Sequence, residues 1–591
     1  MIPVTLLIAR LHKFFTAPIA KTSAPSYDRF SASRVFWFSL SLTFAAFYGF
    51  LGLQKAFKTE YVVAKDAREY VFWMQQFVDP ELLPHDLIAD YFKSVTPSGY
   101  ALVYQLIASI GINPLLLSKI LPIVLGLITT AYCFGVCLQL LPVPAAGFIA
   151  TLLLNQSLWF RDDLASATPR AFVYPLFLAF LYYLVRNSLV RVCVALALQG
   201  LFYPPLVFIS LGILCVRLWD WRRWPPRIEP NRSHYLLCAA GLGVASLVML
   251  PYTFASSEFG PIVTATQARA MPELWPGGRH PFFDDNPWRF WLLGQHSGIL
   301  PPLLPPSIWM GLLLPVVLLY PSRFPLVRQV KNTVTVLPQI ALVSLGLFFA
   351  AHALLLKLFF PTRYTGHTLR VVMAIAAGIV LTVMLDAVFH ACKQLAQSHQ
   401  KRRLFWVLAS TVTLGAQLLL YPNLSAGFPM TNYRVSGESA LYHFFQKQPK
   451  NILIASLSEE ANNIPTFSQR SILVSREYAL PFHLGYYRQI RQRVIDLISA
   501  QYSHDLVAAQ QLIQKYGIDF WLLERTAFTP EYLTNNIPWL KSFQPAFTQA
   551  LANLKQGTAP ALAGVMKRCS VFETKSLVVL QADCIAKAPK D

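Results

Sequence analysis

The carboxylates best placed to do chemistry in this sequence follow its first long apolar segment. Asp66 lies in the polar run 64–70, close to Arg68 and Glu69. A carboxylate held near a membrane surface can act as a general base toward the hydroxyl or amine of an acceptor molecule. The alternative is a solvated polar loop, and this run taken alone favours that simpler interpretation because acidic side chains are usually exposed.

A second acidic pair, Asp162 and Asp163, follows Arg161 and precedes Thr168-Pro169-Arg170. Adjacent carboxylates at the end of an apolar segment can ligate a divalent cation, which prefers oxygen ligands. They can also cap a helix that begins at Pro169, where negative charge complements the helix dipole. Capping accounts for one acid only, and no third acidic residue stands beside the pair. Both interpretations therefore stay open.

Basic residues are concentrated in the segment 357–370, which contains Lys357, Arg363 and Arg370 and no acidic residue. The forked guanidinium of arginine suits phosphate or pyrophosphate oxygens. A phosphate or pyrophosphate headgroup would explain this excess of bases. The alternative on this segment alone is anchoring to lipid phosphates by long basic side chains.

The polar stretch 254–302 is longer than a connection between two apolar segments requires. It includes Ser256-Ser257-Glu258-Phe259-Gly260-Pro261 and, further on, Arg279 and His280. A loop of this length can cover a substrate, and Glu258 and Arg279 are its candidate functional residues. Its histidines do not have the spacing of zinc ligands.

Composition indicates which elements must position these residues. Hydrophobic residues make up 55% of the 591-residue chain and charged residues only 13%, which excludes an ordinary soluble globule. The formal net charge is +21, but the clustered bases lie in short connections between apolar segments, as the positive-inside rule predicts. Nucleic-acid binding is therefore not expected. The predicted fold is a polytopic α-helical membrane protein of about 10–12 membrane helices, followed by a small soluble C-terminal α/β domain.

Membrane spans are predicted wherever an apolar run is long enough to cross the hydrocarbon layer. They fall near 35–53, 115–139, 143–160, 169–187, 234–253, 303–320, 334–356, 369–390 and 404–421. The stretch 192–219 is broken by Tyr203-Pro204-Pro205 and has bases at both ends, which predicts a tight helical hairpin or a broken re-entrant pair. The segment 98–112 is interpreted as a helix lying on the surface.

The positive-inside rule predicts the orientation of these spans. The tail 1–34 is expected to lie in the cytoplasm, and no cleavable signal peptide is predicted. The membrane domain is predicted to cover 35–421. The loops 54–97 and 254–302 and the Asp162-Asp163 turn then face outside. So does the domain 422–591, where strands are expected at 452–457 and 520–523, helices at 490–500 and 505–516, and a hairpin over 568–584. In that domain Cys569 and Cys584 are either a disulfide of an oxidising compartment or a chance pair.

This layout resembles the GT-C superfamily of membrane glycosyltransferases, in a member of bacterial type. The resemblance is carried by Asp66 in the first outer loop, Asp162-Asp163 in the second, Arg363-Tyr364 in a late outer loop and the C-terminal domain. It implies transfer of a hexose or pentose from a polyprenyl-phosphate or polyprenyl-diphosphate donor to a lipid, glycan or protein acceptor. The C-terminal domain lacks a Trp-Trp-Asp-Tyr-Gly motif, so transfer of asparagine-linked glycans to sequons is not implied.

The resemblance also implies roles for individual residues. Asp66 matches the acid that activates or positions the acceptor, and Arg363, with Arg370 and Tyr364, matches the donor-phosphate site. Asp162 and Asp163 match the second-loop acids, which with Glu258 are expected to position the acceptor or a metal ion. The implied mechanism is a single displacement at the anomeric carbon with inversion, helped by preorganised charge. No cofactor is certain, and a divalent cation stays open.

The expected partners are the lipid-linked sugar donor, its acceptor and membrane lipids. The expected location is the plasma (inner) membrane, with many spans, a cytoplasmic N-terminus and a periplasmic or extracytoplasmic C-terminal domain. A transporter or lipid flippase is the rival class, since broken helices and charges at membrane level also suit it. The sequence shows no repeat of the kind that transporters contain. An assembly protein that binds through its C-terminal domain is a third interpretation.

Overall fold

The computed structural model describes residues 4–18, 27–220, 227–229, 231–254 and 258–589. Ser256 and Ser257 lie outside these residues, as do parts of the predicted tail 1–34 and of the basic connection 217–232. Within the described part, six helices are long and apolar enough to cross a membrane. They are Ala32–Ala56, Pro114–Leu140, Arg232–Tyr252, Asn332–Ala353, Thr362–Gln397 and Lys401–Leu424.

Shorter apolar helices complete the bundle. They are Pro144–Trp159, Pro169–Val185, Leu189–Phe202, Pro205–Val216 and Pro306–Leu319. Proline is the first residue of several of them because its fixed φ suits the first helical turn, where its missing N–H is not needed. A helix therefore stands at each predicted span, and the polytopic helical fold is confirmed. The segment 98–112 contains the helix Ser98–Ser109.

The helix Pro144–Trp159 forms the centre of the bundle, because all 16 of its residues are buried. A helix that is apolar on every side is stable only when neighbours cover it completely. The helix Thr368–Gln397 packs against it closely at Gly378, where a Cβ atom would lie 2.7 Å from the Cβ of Ala150. This close contact brings the start of the Thr368–Gln397 helix to the turn that follows Trp159.

The predicted break in the stretch 192–219 is confirmed, because it separates two helices, Leu189–Phe202 and Pro205–Val216. Tyr203 separates them, with φ −152° and ψ 82°. Pro204 and Pro205 lack the backbone N–H groups that would continue the first helix. The break therefore places Tyr203 at a helix junction, where its side chain is free to contact a different element.

The C-terminal region is an α/β unit built on a five-stranded mixed sheet. In spatial order its strands are Ser471–Ile472, Leu453–Ala455, Phe520–Glu524, Leu577–Gln581 and Ser570–Glu573. The first three strands are parallel, and the last two form the predicted hairpin. The helices Leu484–Gln501 and Leu506–Tyr516 match the predicted ones. A disulfide joins Cys569 to Cys584, with the Cα atoms 5.4 Å apart.

The segment after the first membrane helix is held between the bundle and the C-terminal region. Its strand Val62–Ala64 pairs antiparallel with Tyr433–Val435, with Val63 opposite Arg434. The short helix Lys65–Val71 follows directly. Because the strand pairing fixes the start of this helix, the position of Asp66 depends on both parts of the chain.

Candidate functional site

Three carboxylates from two separate segments of the sequence, Asp66 and the adjacent pair Asp162 and Asp163, converge on the guanidinium of Arg170. Nη2 of Arg170 lies 2.9 Å from Oδ2 of Asp66 and 3.3 Å from Oδ1 of Asp162. Nε lies 3.4 Å from Oδ1 of Asp163. We call Asp66, Asp162, Asp163 and Arg170 the Arg170 cluster. The predicted acids of the first and second loops therefore meet at one place.

Each member of the Arg170 cluster stands at the end of a helix. Asp66 is in the first turn of Lys65–Val71, and Arg170 is in the 3₁₀ turn Pro169–Phe172 that leads into Val173–Val185. Asp162 and Asp163 lie in the turn that connects the buried helix Pro144–Trp159 to the 3₁₀ turn Pro169–Phe172. Helix ends leave backbone groups unpaired and tolerate polar side chains, which explains why charged groups collect at this end of the bundle.

Asp163 lies deepest in the Arg170 cluster and has several more partners. Arg370 forms an ion pair with its Oδ2, and the hydroxyl of Tyr174 donates to the same oxygen at 2.9 Å. Burial alone raises the pKa of Asp163, but the guanidinium groups of Arg370 and Arg170 outweigh it and lower that pKa well below its usual range. Asp163 is therefore ionised throughout the physiological pH range.

Tyr174 connects Asp163 to His367, whose Nδ1 lies 2.9 Å from the Tyr174 hydroxyl. A tyrosine hydroxyl has one proton, which here goes to Asp163. His367 must then donate from Nδ1, which assigns the neutral ring a proton on that nitrogen. Nε2 of His367 is thereby left as an acceptor at the site.

Arg363 is held by aromatic groups instead of carboxylates. Its Nη1 donates to the hydroxyl of Tyr203 at 2.8 Å, and its guanidinium carbon lies 5.9 Å from the ring centroids of Tyr203 and Phe359. In the described part of the chain, no carboxylate forms an ion pair with Arg363. Its positive charge is therefore available to an anionic ligand.

A cavity of about 330 Å³ opens beside the Arg170 cluster. Its lining includes Arg161, Arg170, Arg363, Arg370, Asp163, His296, His367 and residues of the segment 293–302. Four guanidinium groups thus face one carboxylate, so the cavity is electropositive. Arginine clusters of this kind bind phosphate oxygens through paired N–H donors. The cavity is suited to a phosphorylated ligand, with the Arg170 cluster at its edge.

A second ionic network anchors the helix that carries Asp66. Arg279 forms ion pairs with Glu69 and Glu477, and Arg68 pairs with Glu477 at 3.2 Å. Burial raises the pKa of Glu69 well above its usual range, and the nearby carboxylates of Glu477 and Asp66 act in the same direction, against Arg279. This network joins the first loop, the loop 254–302 and the C-terminal region.

Of the predicted site residues, Asp163, Arg363 and Arg370 line the cavity. Asp66 and Asp162 contact the lining residue Arg170 without lining the cavity themselves, and Tyr364 and Glu258 are the remaining two. Tyr364 is fully buried and donates from its hydroxyl to the carbonyl of Leu358 at 2.8 Å. Glu258 is exposed, and the neighbouring Phe259 accepts at its carbonyl from the backbone N–H of Gly485 at 2.7 Å. That part of the loop thus packs on the C-terminal region.

Arg170, Tyr174 and Tyr203 are residues of the site that the sequence reasoning did not select. Arg170 and Tyr203 stood in motifs that drew attention for other reasons, a helix start and a helix break. A signal for Arg170 was present, because an arginine seven residues after two adjacent acids, in the first turn of the next helix, can fold back on them. Tyr174 lies inside an apolar helix and gave no comparable signal.

One group of side chains in the described part of the chain has the types and spacing to hold a metal ion. The ligand atoms of His12, Asp386 and His390 lie within 4.8 Å of one another. Asp386 is on the same helix as Arg370, about 24 Å away at the helical rise per residue. Nζ of Lys393 lies 2.7 Å from Nδ1 of His12. This group is therefore separate from the Arg170 cluster, where Arg170 itself occupies the space between the carboxylates.

No protein-family model and no curated protein matches the sequence. Among solved structures, the chain is similar to the oligosaccharyltransferase of Archaeoglobus fulgidus tethered to an acceptor peptide containing the NVT sequon, with a TM-score of 0.53 and 12% identity over 87% of this chain and 72% of that one. The apo form of that enzyme gives 0.51 and 12%, over 84% and 71%. At this identity the likeness concerns the fold. The chain therefore shares its fold with this archaeal oligosaccharyltransferase, in agreement with the membrane-glycosyltransferase layout that the sequence predicted.

Proposed function

We propose that this protein is a membrane glycosyltransferase that moves a sugar from a polyprenyl-phosphate or polyprenyl-diphosphate donor to a lipid, glycan or protein acceptor. One observation carries the proposal: a cavity with four guanidinium groups lies directly beside three converging carboxylates. Guanidinium groups bind a phosphate leaving group, and a carboxylate at the cavity edge can accept a proton from the attacking group. The fold supports the same class of activity.

In the proposed reaction, the acceptor oxygen or nitrogen attacks the anomeric carbon while the bond from that carbon to the phosphate oxygen breaks. Asp66 takes the acceptor proton. Its ion pair with Arg170 uses Oδ2, so Oδ1 is the oxygen that faces the acceptor. The electron pair leaves with the phosphate, whose developing charge is stabilised by Arg363 and Arg161. A single displacement inverts the anomeric configuration.

The proposed orientation places the site, the loops 54–97 and 254–302 and the domain 422–591 on the extracytoplasmic side of the inner membrane, and the tail 1–34 in the cytoplasm. Two independent features support it. Bases are concentrated in the connections at the opposite end of the bundle. Cys569 and Cys584 are placed as a disulfide, a bond that is typical of an oxidising compartment.

The direct test is transfer of a radiolabelled sugar from polyprenyl-phosphate donors by the purified protein. We expect Asp66→Asn and Arg363→Ala each to lower transfer by about 100-fold or more. Matched controls are Asp90→Asn, an exposed acid of the same loop, and Arg289→Ala, whose side chain is 70% exposed. Flux of lipid or solute through liposomes without transfer from any donor would favour the transporter, and full activity of Asp66→Asn would remove Asp66 as the base.

A further inference from the structure

We infer that Arg170 takes the place that a divalent cation would otherwise hold among Asp66, Asp162 and Asp163, so that this site works without a metal. Removal of Arg170 should therefore create a cation site, which a binding measurement alone can test. The absence of a metal requirement rests on the proposed transfer reaction. This arrangement excludes the cation site that the sequence left open for Asp162 and Asp163.

The geometry makes the guanidinium and a cation mutually exclusive. A single nitrogen of Arg170 bridges Asp66 at 2.9 Å and Asp162 at 3.3 Å, and its Nε faces Asp163 at 3.4 Å. Divalent cations bind carboxylate oxygens at about 2.0–2.6 Å. A cation at that distance from all three acids would occupy the space of the guanidinium and would face its positive charge.

The Oδ2 atoms of Asp162 and Asp163 are also committed. Oδ2 of Asp162 accepts from the side-chain amide of Asn432 at 3.0 Å. Oδ2 of Asp163 accepts from Arg370 and from Tyr174. A cation could not collect the oxygens that it requires unless it displaced several of these donors. The acids therefore do not fit a metal while Arg170 is in place.

Arg170 is well anchored for this role. It follows Pro169 in a 3₁₀ turn, where the N–H of Ala171 donates to the carbonyl of Thr168 at 2.9 Å. Its side chain is 25% exposed, so water competes only partly for the guanidinium. With Arg161, Arg363 and Arg370 also lining the cavity, the positive charge needed to bind a phosphate is supplied by the chain itself.

The test measures Mn²⁺ bound to chelator-treated protein by electron paramagnetic resonance. We expect Arg170→Ala to bind one more equivalent of Mn²⁺ than wild type, and Arg170→Ala/Asp162→Asn to lose that equivalent again. Comparison within this series cancels any binding at His12, Asp386 and His390. The control Arg289→Ala is expected to behave as wild type. If Arg170→Ala does not fold, Arg170→Gln takes its place in the same series.

Transfer activity provides the second measurement. We expect wild type to keep its full rate after EDTA treatment, within about twofold, and to gain nothing from added Mg²⁺ or Mn²⁺. The inference is overturned if wild type binds Mn²⁺ that Asp162→Asn abolishes, or if a folded Arg170 variant gains no Mn²⁺. Absence of transfer from every donor would count against the proposed function alone, because the binding series does not depend on activity.

Discussion

Arg363 donates from Nη1 to the hydroxyl of Tyr203 at 2.8 Å, although the two residues are 160 positions apart. The Tyr203 hydroxyl reaches Arg363 because one helix ends at Phe202 and the next begins at Pro205, which leaves Tyr203 at the junction. The helix break thus sets the direction of a guanidinium that lines the cavity. A feature that first suggested a transporter serves here to position a charged group.

Tyr203→Phe is expected to weaken donor binding and to leave the fold intact. A hydrogen bond to a charged group contributes about 1.5–3 kcal/mol, so the KM for the donor should rise by roughly tenfold or more, and kcat should also fall because Arg363 stabilises the departing phosphate. The control is Tyr182→Phe, which removes the hydroxyl that accepts from Arg186 in a different Tyr–Arg pair. Steady-state kinetics with varied donor checks this, and an unchanged KM would show that Tyr203 does not position Arg363.

Asp163→Asn is expected to destabilise the protein strongly, because it leaves the buried guanidinium of Arg370 without a counter-charge. Loss of one partner of a buried ion pair costs about 3–5 kcal/mol. The control is Asp284→Asn, which removes a pair with the largely exposed Arg289 and should cost under 1 kcal/mol. Thermal unfolding in detergent measures both.

The stability lost in Asp163→Asn is expected to depend on pH. The pKa of Asp163 is lowered in the folded state, so its contribution to stability is complete above the pKa of an unfolded aspartate, about 3.9. That contribution is lost as the pH falls through the lower folded pKa. The difference in Tm between wild type and Asp163→Asn should thus be constant from pH 5 to 8 and shrink only below about pH 4. A difference that shrinks near pH 6 would contradict the lowered pKa.

Glu69→Gln and Glu477→Gln are expected to differ, although both carboxyl groups contact Arg279. Burial raises the pKa of Glu69, so the folded state binds a proton there, and the associated stability is lost as the pH rises through the folded pKa. Glutamine resembles the protonated form, so the Tm of Glu69→Gln should fall less than that of wild type as the pH is raised. Glu477→Gln removes the partner of Arg68 and Arg279 and should lower Tm at every pH tested. Equal losses for both variants would contradict the distinction.

The pair Cys569–Cys584 is expected to be oxidised in protein taken from cells. Alkylation of the denatured, unreduced protein should modify Cys215, which is exposed and free, and should leave Cys569 and Cys584 unmodified until a reductant is added. Replacing both by serine should destabilise the C-terminal region by about 3 kcal/mol, since the bond closes a short loop. Modification without reductant would indicate a reducing compartment and the opposite orientation.

The sequence by itself determined the helical membrane fold, the broken helix at Tyr203 and, in the C-terminal region, four of the five strands and the helices Leu484–Gln501 and Leu506–Tyr516. These features depend on local patterns: the length of an apolar run, a pair of prolines, or alternation of side chains along a strand. The chemical types at the site were also readable, because Asp66, Asp162, Asp163, Arg363 and Arg370 are charged residues at the ends of apolar segments.

Only the tertiary structure decided which of these groups meet. Arg170 reaches Asp66 across 104 positions, and Tyr174 reaches His367 across 193, because close packing around Pro144–Trp159 brings separate helix ends together. Tyr364 and Glu258 are of residue types that suit the site, but neither lines the cavity. Pairing over such distances depends on the packing of whole helices, and a local pattern carries no record of it.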